Sequence, residues 1–306
     1  MLLIGNQISL MRPAIAAAIS RLDESRIRTL ARQQVEAGAN WLLVDVGPQR
    51  KNATDDLAWL VRTIHAEVRV PLVLRSDDPT ALEAGLKAAK DRTLIDATLP
   101  GVAEFGPYLE LAHKFKARLA LPACPAGLPR PTDERIVFVI DTLVPMISDA
   151  GLAMEDVYVD PVITALTCDQ ALVPATVETM RLLKVGADQP PNTLIHLDNI
   201  TDGVAEAARP YVSQAYLTML LSAGVDALAA NVLDVDLMDV LRVIRDRDPA
   251  GAYDRLLLRL YDLTKVDAEL DRTMIDSSDA TQVGLLKTVQ VLNNKVLYAD
   301  SYLRVW

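Results

Sequence analysis

The sequence predicts a closed (β/α)8 barrel of the α/β class. Eight short apolar runs alternate with segments whose apolar residues recur at helical spacing. Most of the runs are continuously apolar rather than alternating, as parallel strands covered on both faces require. Polar residues also recur where these runs end. Asp45 follows Trp41–Val44, Arg75 to Asp78 follow Pro71–Leu74, and Asp96 follows Arg92–Ile95. Asp160 follows Val157–Val159, and Asp198-Asn199 close Thr193–Leu197. A parallel barrel gathers such strand ends into one mouth, where barrels of this kind do chemistry. A doubly wound open sheet would want a glycine-rich turn after the first strand, and Ile4–Leu10 is not one.

The strands are expected at Leu2–Ile4, Trp41–Val46, Pro71–Leu74 and Thr93–Ala97, then at Arg118–Leu121, Val157–Asp160, Thr193–Leu197 and Ala227–Ala230. Helical spacing covers Ser25–Ala37, Asp55–Glu67, Pro79–Ala89, Asp133–Ala150 and Val173–Val185. Thr54-Asp55-Asp56 and Thr132-Asp133-Glu134 supply start signals, and Asp77 and Asp78 read as caps ahead of Pro79. Gly38, Gly151, Gly186 and Gly224 stand where helix C-caps belong. The proline-rich Leu121–Glu134 would overhang the mouth, and Asp188–Asn192 forms a stiff lead into the seventh strand. Three helical stretches follow the last strand, at Asp234–Asp246, Tyr253–Leu270 and Gln282–Tyr302. A barrel needs one closing helix. Residues 247–278 therefore read as a helical insertion, on the outside or at the mouth, within a single domain spanning 1–306.

Composition narrows the partners. A chain of 306 residues with net charge −10 is a poor match for nucleic acid or an anionic membrane surface. No apolar stretch escapes charge or proline long enough to cross a membrane. The opening Met1–Leu10 reads as a strand rather than a signal peptide, so a cytoplasmic protein is expected. Cys124 and Cys168 form no CxxC pair and read as small core residues, and no metal site is expected. His65 and His113 fall inside helices as surface or packing residues. His196 adjoins a polar strand end, and strand alternation would turn His196, Asp198 and Ile200 to one side. Neither a nucleophile elbow nor a phosphate-binding loop is present.

What remains is a mouth of carboxylates and amides: Asp45, Asp96, Asp160, Asp198 and Asn199. Such a set suits a ligand with several N–H donors in one plane, because a carboxylate accepts two parallel bonds and an amide both donates and accepts. A 2-amino-4-oxo pterin has that edge, and a cationic ligand would also suit.

Several stretches resemble the methyltetrahydrofolate:corrinoid protein methyltransferases, a family of pterin-binding barrels. These are Met1–Ile8, Ala31–Pro48, Ala81–Thr98, Gly151–Ile163, Leu197–Thr201, Arg209–Ala230 and the closing Asn293–Trp306. The resemblance implies methyl transfer between N5-methyltetrahydrofolate and a corrinoid (cobalamin-type) cofactor held by a partner protein. It also implies a homodimer. Asn199 matches the asparagine that hydrogen-bonds N5, and Asp160 matches an aspartate that binds the pterin. The chain also departs from the family. Arg75 stands where that family has an aspartate in the pterin site, and Asp96 where it has asparagine. An aspartate is missing near Leu43, Asp45 replaces an asparagine, and an early Glu-Arg-Ile-Asn reads Asn6-Gln7-Ile8-Ser9. Asp96 would take over the lost anchor, and Arg75 would pair with Asp96 or Asp45 or meet an anionic part of the ligand. The alternatives are a non-catalytic homologue that binds a corrinoid protein, or a barrel in which Arg75 reads the carboxylate or phosphate of a different small molecule.

Overall fold

Strand β1 (Leu2–Ser9) pairs in parallel with both β2 (Trp41–Asp45) and β8 (Ala227–Ala230), and these two pairings close the sheet. Between them run β3 (Leu72–Arg75), β4 (Leu94–Asp96), β5 (Arg118–Pro122), β6 (Val157–Asp160) and β7 (Asn192–His196), in sequence order and all parallel. The computed structural model describes residues 1–98, 104–185 and 190–303. Gly186, the first two residues of the lead into β7 (Asp188 and Gln189) and the last three residues of the chain lie outside them. The (β/α)8 barrel expected from the alternation is present, with strand bounds close to those read from the sequence.

β1 is longer than expected. The apolar run ends at Ile4, but the strand continues to Ser9 through a register shift against β2 between Gly5 and Ile8. Gln34, fully buried, fills the irregularity by accepting from the Gln7 N–H at 2.9 Å. A Cβ on residue 5 would stand 2.6 Å from the Gln34 Oε1, so the close approach requires Gly5.

The helical shell begins with α1 (Pro13–Ser20), α2 (Glu24–Glu36), α3 (Ala53–His65), α4 (Pro79–Ala88) and α5 (Gly106–Phe115). Asp78 caps α4 by accepting from the Thr80 N–H at 2.8 Å, as expected. The start of α3 differs: it begins at Ala53, and Asp56 instead accepts from Arg50 Nε at 2.7 Å. The long helix after β5 is α6 (Thr132–Phe138) and α7 (Val144–Asp149), joined by a π-turn over Val139–Leu143. Then come α8 (Val173–Val185), α9 (Arg209–Ala223) and α10 (Val235–Asp246). Gly224 ends α9 with φ +91°, a left-handed cap that favours glycine.

Within 247–278 lies α11 (Ala252–Lys265), which packs against α9 and α10 in the helical shell. Its Arg247–Asp262 ion pair is solvated on both sides. The stretch expected as one helix to Tyr302 divides into α12 (Ala280–Leu292) and α13 (Asp300–Leu303). Asn294 adopts φ +55°, and Gln170 Nε2 takes over the carbonyls of Val291 and Val296 that the helix would have used. Cys124 is buried as expected, whereas Cys168 is exposed in the loop after β6. Among the described residues no helix is long and apolar enough to cross a membrane.

The barrel is filled, not hollow. Ile4, Leu43, Val73, Leu94, Tyr158 and Leu194 point inward and pack into one buried cluster. Burying each such side chain stabilises the fold by about 2 kcal/mol. This layer is the floor on which the mouth stands.

Candidate active site

Side chains alternate along a strand, so the residue two positions beyond each floor residue also faces the barrel axis, one layer higher. Leu43 leads to Asp45, Val73 to Arg75, Leu94 to Asp96, Tyr158 to Asp160 and Leu194 to His196. The polar strand ends therefore form a ring above an apolar floor. A cavity of about 480 Å³ opens over it, lined by Asp45, Arg75, His196, Asp198 and Asn199 with Leu43 beneath. That volume suits a small organic ligand. Asp96 and Asp160 belong to the same ring and are buried, but neither lines the cavity.

Asp96 is the centre of the charge arrangement. Its Oδ1 accepts from the Thr98 hydroxyl at 2.6 Å and from the Thr98 N–H at 3.0 Å. Its Oδ2 lies 3.1 Å from His196 Nε2 and 3.5 Å from Arg75 Nε. Burial alone would push the Asp96 carboxyl up. Arg75, His196 and the Thr98 hydroxyl outweigh it and hold the group well below the usual carboxylate range. The Arg75 contact is ionic rather than a hydrogen bond: Arg75 Nε and Asp96 Oδ2 are both buried without a hydrogen-bond partner.

Asp160 behaves oppositely. Burial pushes its carboxyl up, and neither His196 nor the Val162 N–H, which donates to Oδ1 at 2.7 Å, fully offsets this. The turn that aims it is strained, since Val162 is a β-branched residue at φ +64°. Arg135, fully buried on α6, clamps this turn from behind. Its Nη1 donates to the Pro161 carbonyl at 2.5 Å and to the Thr176 hydroxyl at 3.1 Å, and its Nε donates to the Arg130 carbonyl at 2.6 Å.

The remaining residues differ in how far they are occupied. Asp45 accepts from the Ser9 hydroxyl at 2.7 Å and from the Gly47 N–H at 2.8 Å, one bond on each oxygen. Asp198 Oδ2 accepts from Asn6 Nδ2 at 3.0 Å and Arg12 Nη2 at 3.2 Å. Asn199 faces the cavity without such a bond among the described residues. The alternation expected beyond His196 does not hold. β7 ends there, and Leu197–Thr201 turns as a 3-10 helix, so backbone curvature brings Asp198 and Asn199 to the cavity.

Of the residues singled out in the sequence, Asp45, Arg75, Asp198 and Asn199 line one cavity, whereas Asp96 and Asp160 are buried at the same barrel end and do not line it. Sequence reasoning gave no site role to His196, Thr98, Asn6, Arg12 and Arg135. Inward parity with Leu194 would have found His196. Nothing in the sequence marks Arg135, which lies within a helix and reaches the site from behind.

No family model matches the chain. The methylcorrinoid:tetrahydrofolate methyltransferase of Eubacterium limosum is 26% identical over 271 residues, spanning 84% of this chain and 93% of that protein. The chain resembles the folate–corrinoid methyltransferases. Among solved structures, the dihydropteroate synthase of Coxiella burnetii, in complex with pteroic acid, superposes with a TM-score of 0.60. It is 13% identical, over 80% of this chain and 94% of that one. The 7,8-dihydropteroate synthase of Vibrio fischeri also gives 0.60, at 14% identity over 81% and 94%. At such identities these two show a shared barrel fold.

Proposed function

We propose that this protein transfers a methyl group between N5 of tetrahydrofolate and the cobalt of a corrinoid carried by a separate protein. One observation supports this most: Asn199 lines the mouth cavity, with Asp160 and Asp96 buried at neighbouring strand ends, in a chain that resembles a protein named for that reaction. Asp160 and Asp96 would accept from the pterin's N–H and amino edge. Asp45 and Asp198 line the space above them, and Arg75 keeps Asp96 ionised.

The chemistry assigns Asn199 its role. N5 of methyltetrahydrofolate is a tertiary amine and a poor leaving group, so departure of the methyl needs a strong hydrogen bond or a proton at N5 in the transition state. An amide N–H from Asn199 supplies that bond. The cobalt must approach the methyl from the open side of the cavity, so the corrinoid protein docks transiently over the barrel mouth.

A second reading rests on Arg75. Its guanidinium lines the cavity, where a carboxylate or phosphate on a different ligand would meet it. On that reading the chain binds a corrinoid protein or an anionic molecule without transferring methyl groups. Titration with methyltetrahydrofolate separates the two. Saturable binding is expected, followed by methyl transfer to Co(I) cobalamin seen spectroscopically; no binding at millimolar ligand would sink the methyl-transfer proposal.

A further inference from the structure

We infer that His196 is the acid–base residue that exchanges the N5 proton, an assignment that rests on the methyl-transfer reading. The hydrogen bonds around the imidazole determine its tautomer. The Thr98 hydroxyl spends its single proton on Asp96 Oδ1 at 2.6 Å. Toward His196 Nε2, 3.3 Å away, Thr98 Oγ1 therefore acts only as an acceptor. Asp96 Oδ2, 3.1 Å from the same nitrogen, is a carboxylate held in its ionised form and also accepts only. Nε2 must carry a hydrogen. In the neutral ring Nδ1 is then the lone-pair nitrogen, the one able to take a proton. The ring lines the cavity that Asn199 also lines, and both come from the end of β7. A carboxylate behind one nitrogen with the other left to the reactant is the arrangement that makes an imidazole a general base.

The reaction needs such a group. When tetrahydrofolate accepts the methyl, the N5 lone pair forms the N–C bond. The cobalt–carbon bond breaks with both electrons remaining on cobalt, which passes from methyl-Co(III) to Co(I). The nitrogen then bears a methyl, a hydrogen and a positive charge, and its proton goes to His196 Nδ1. In reverse, the imidazolium returns the proton to N5 as the methyl leaves, and Asn199 holds the same nitrogen in place. The charges facing the ring are Asp96 on β4, Asp160 on β6 and Arg75 on β3, with Asp198 on the turn that follows.

The test is single-turnover transfer from methyltetrahydrofolate to Co(I) cobalamin, measured against pH. In the wild-type chain the rate should fall as pH rises across a single ionisation, because the imidazolium is the reactive form. His196→Gln keeps an amide N–H to donate toward Thr98 Oγ1 but has no titratable nitrogen. It should lower the rate about 100-fold and abolish the pH limb, with methyltetrahydrofolate affinity unchanged. Added imidazole should restore part of the rate in His196→Ala. A residue that only packs would change affinity or stability and leave the profile's shape intact. A pH-independent wild-type rate, or a wild-type rate and limb retained in His196→Gln, overturns the assignment while leaving methyl transfer standing. Absence of folate binding or transfer by the wild-type chain overturns the methyl-transfer reading and this assignment with it.

Discussion

Arg75 and Asp96 stand opposite each other in the register of β3 and β4, with Nε 3.5 Å from Oδ2. The pair spans adjacent strand ends and replaces the solvent that a buried carboxylate has lost. Arg75→Met would leave Asp96 with Thr98 and His196 alone. Breaking one side of a buried pair costs about 3 kcal/mol, so urea denaturation at neutral pH should show a loss of that order. The sign with pH follows from the Asp96 carboxyl lying below its unfolded value of about 3.9. Its contribution is complete above that value and lost as pH falls through the lower folded one. Acid unfolding of Arg75→Met should therefore begin at higher pH than in the wild type. Coincident acid curves would show that Arg75 does not hold Asp96 ionised.

Asp160→Asn should raise stability while abolishing function. The folded state raises the Asp160 carboxyl, so native stability declines as pH rises from the unfolded value through the folded one, and the ionised group is a burden at neutral pH. Asparagine keeps an oxygen to accept from the Val162 N–H and carries no charge. A gain of about 1 kcal/mol is expected in thermal unfolding, together with at least a tenfold loss of methyltetrahydrofolate affinity. Unchanged affinity would remove Asp160 from the binding edge.

Asn199→Ala should reduce the methyl-transfer rate about 100-fold and leave equilibrium binding of methyltetrahydrofolate nearly unchanged. The bond to N5 matters most as the methyl departs, so rate and affinity should separate. A parallel loss of both would make Asn199 an ordinary binding contact.

Arg135→Met removes the donors that clamp the turn behind Asp160. Buried carbonyls left without partners should destabilise the chain by about 3 kcal/mol, read from chemical denaturation. Folate affinity should fall as well, although Arg135 never reaches the cavity, because Val162 would relax out of its left-handed conformation. Normal affinity in the variant would show that the turn holds itself.

The barrel was legible because continuous apolar strands and amphipathic helices repeat along the chain, and five of the eight strand ends announce themselves with polar residues. Asp45, Arg75 and Asp96 were visible for the same reason. His196 is obscured in the sequence because the apolar run extends to Leu197, which shifts attention to Asp198; the strand stops at His196, and the following turn presents Asp198 and Asn199. Gly5 and Gln34 were illegible because their contact joins a strand to a helix interior, where no local pattern marks it. Arg135 is charged at a position that helical periodicity gives to the core, and only the tertiary arrangement supplies its carbonyl partners.

The apolar floor formed by Leu43, Val73, Leu94 and their neighbours closes the barrel beneath the polar ring. A well closed at the bottom has one entrance, and under the proposed reaction two reactants must share it. On that proposal the pterin would occupy the depth and the corrinoid carrier would cover the rim. Entry is thus ordered: folate first, carrier second, with release in the opposite sequence. While the carrier is seated, the smaller molecule has no way out, and the residence time of the protein partner sets a lower bound on the time between successive folates.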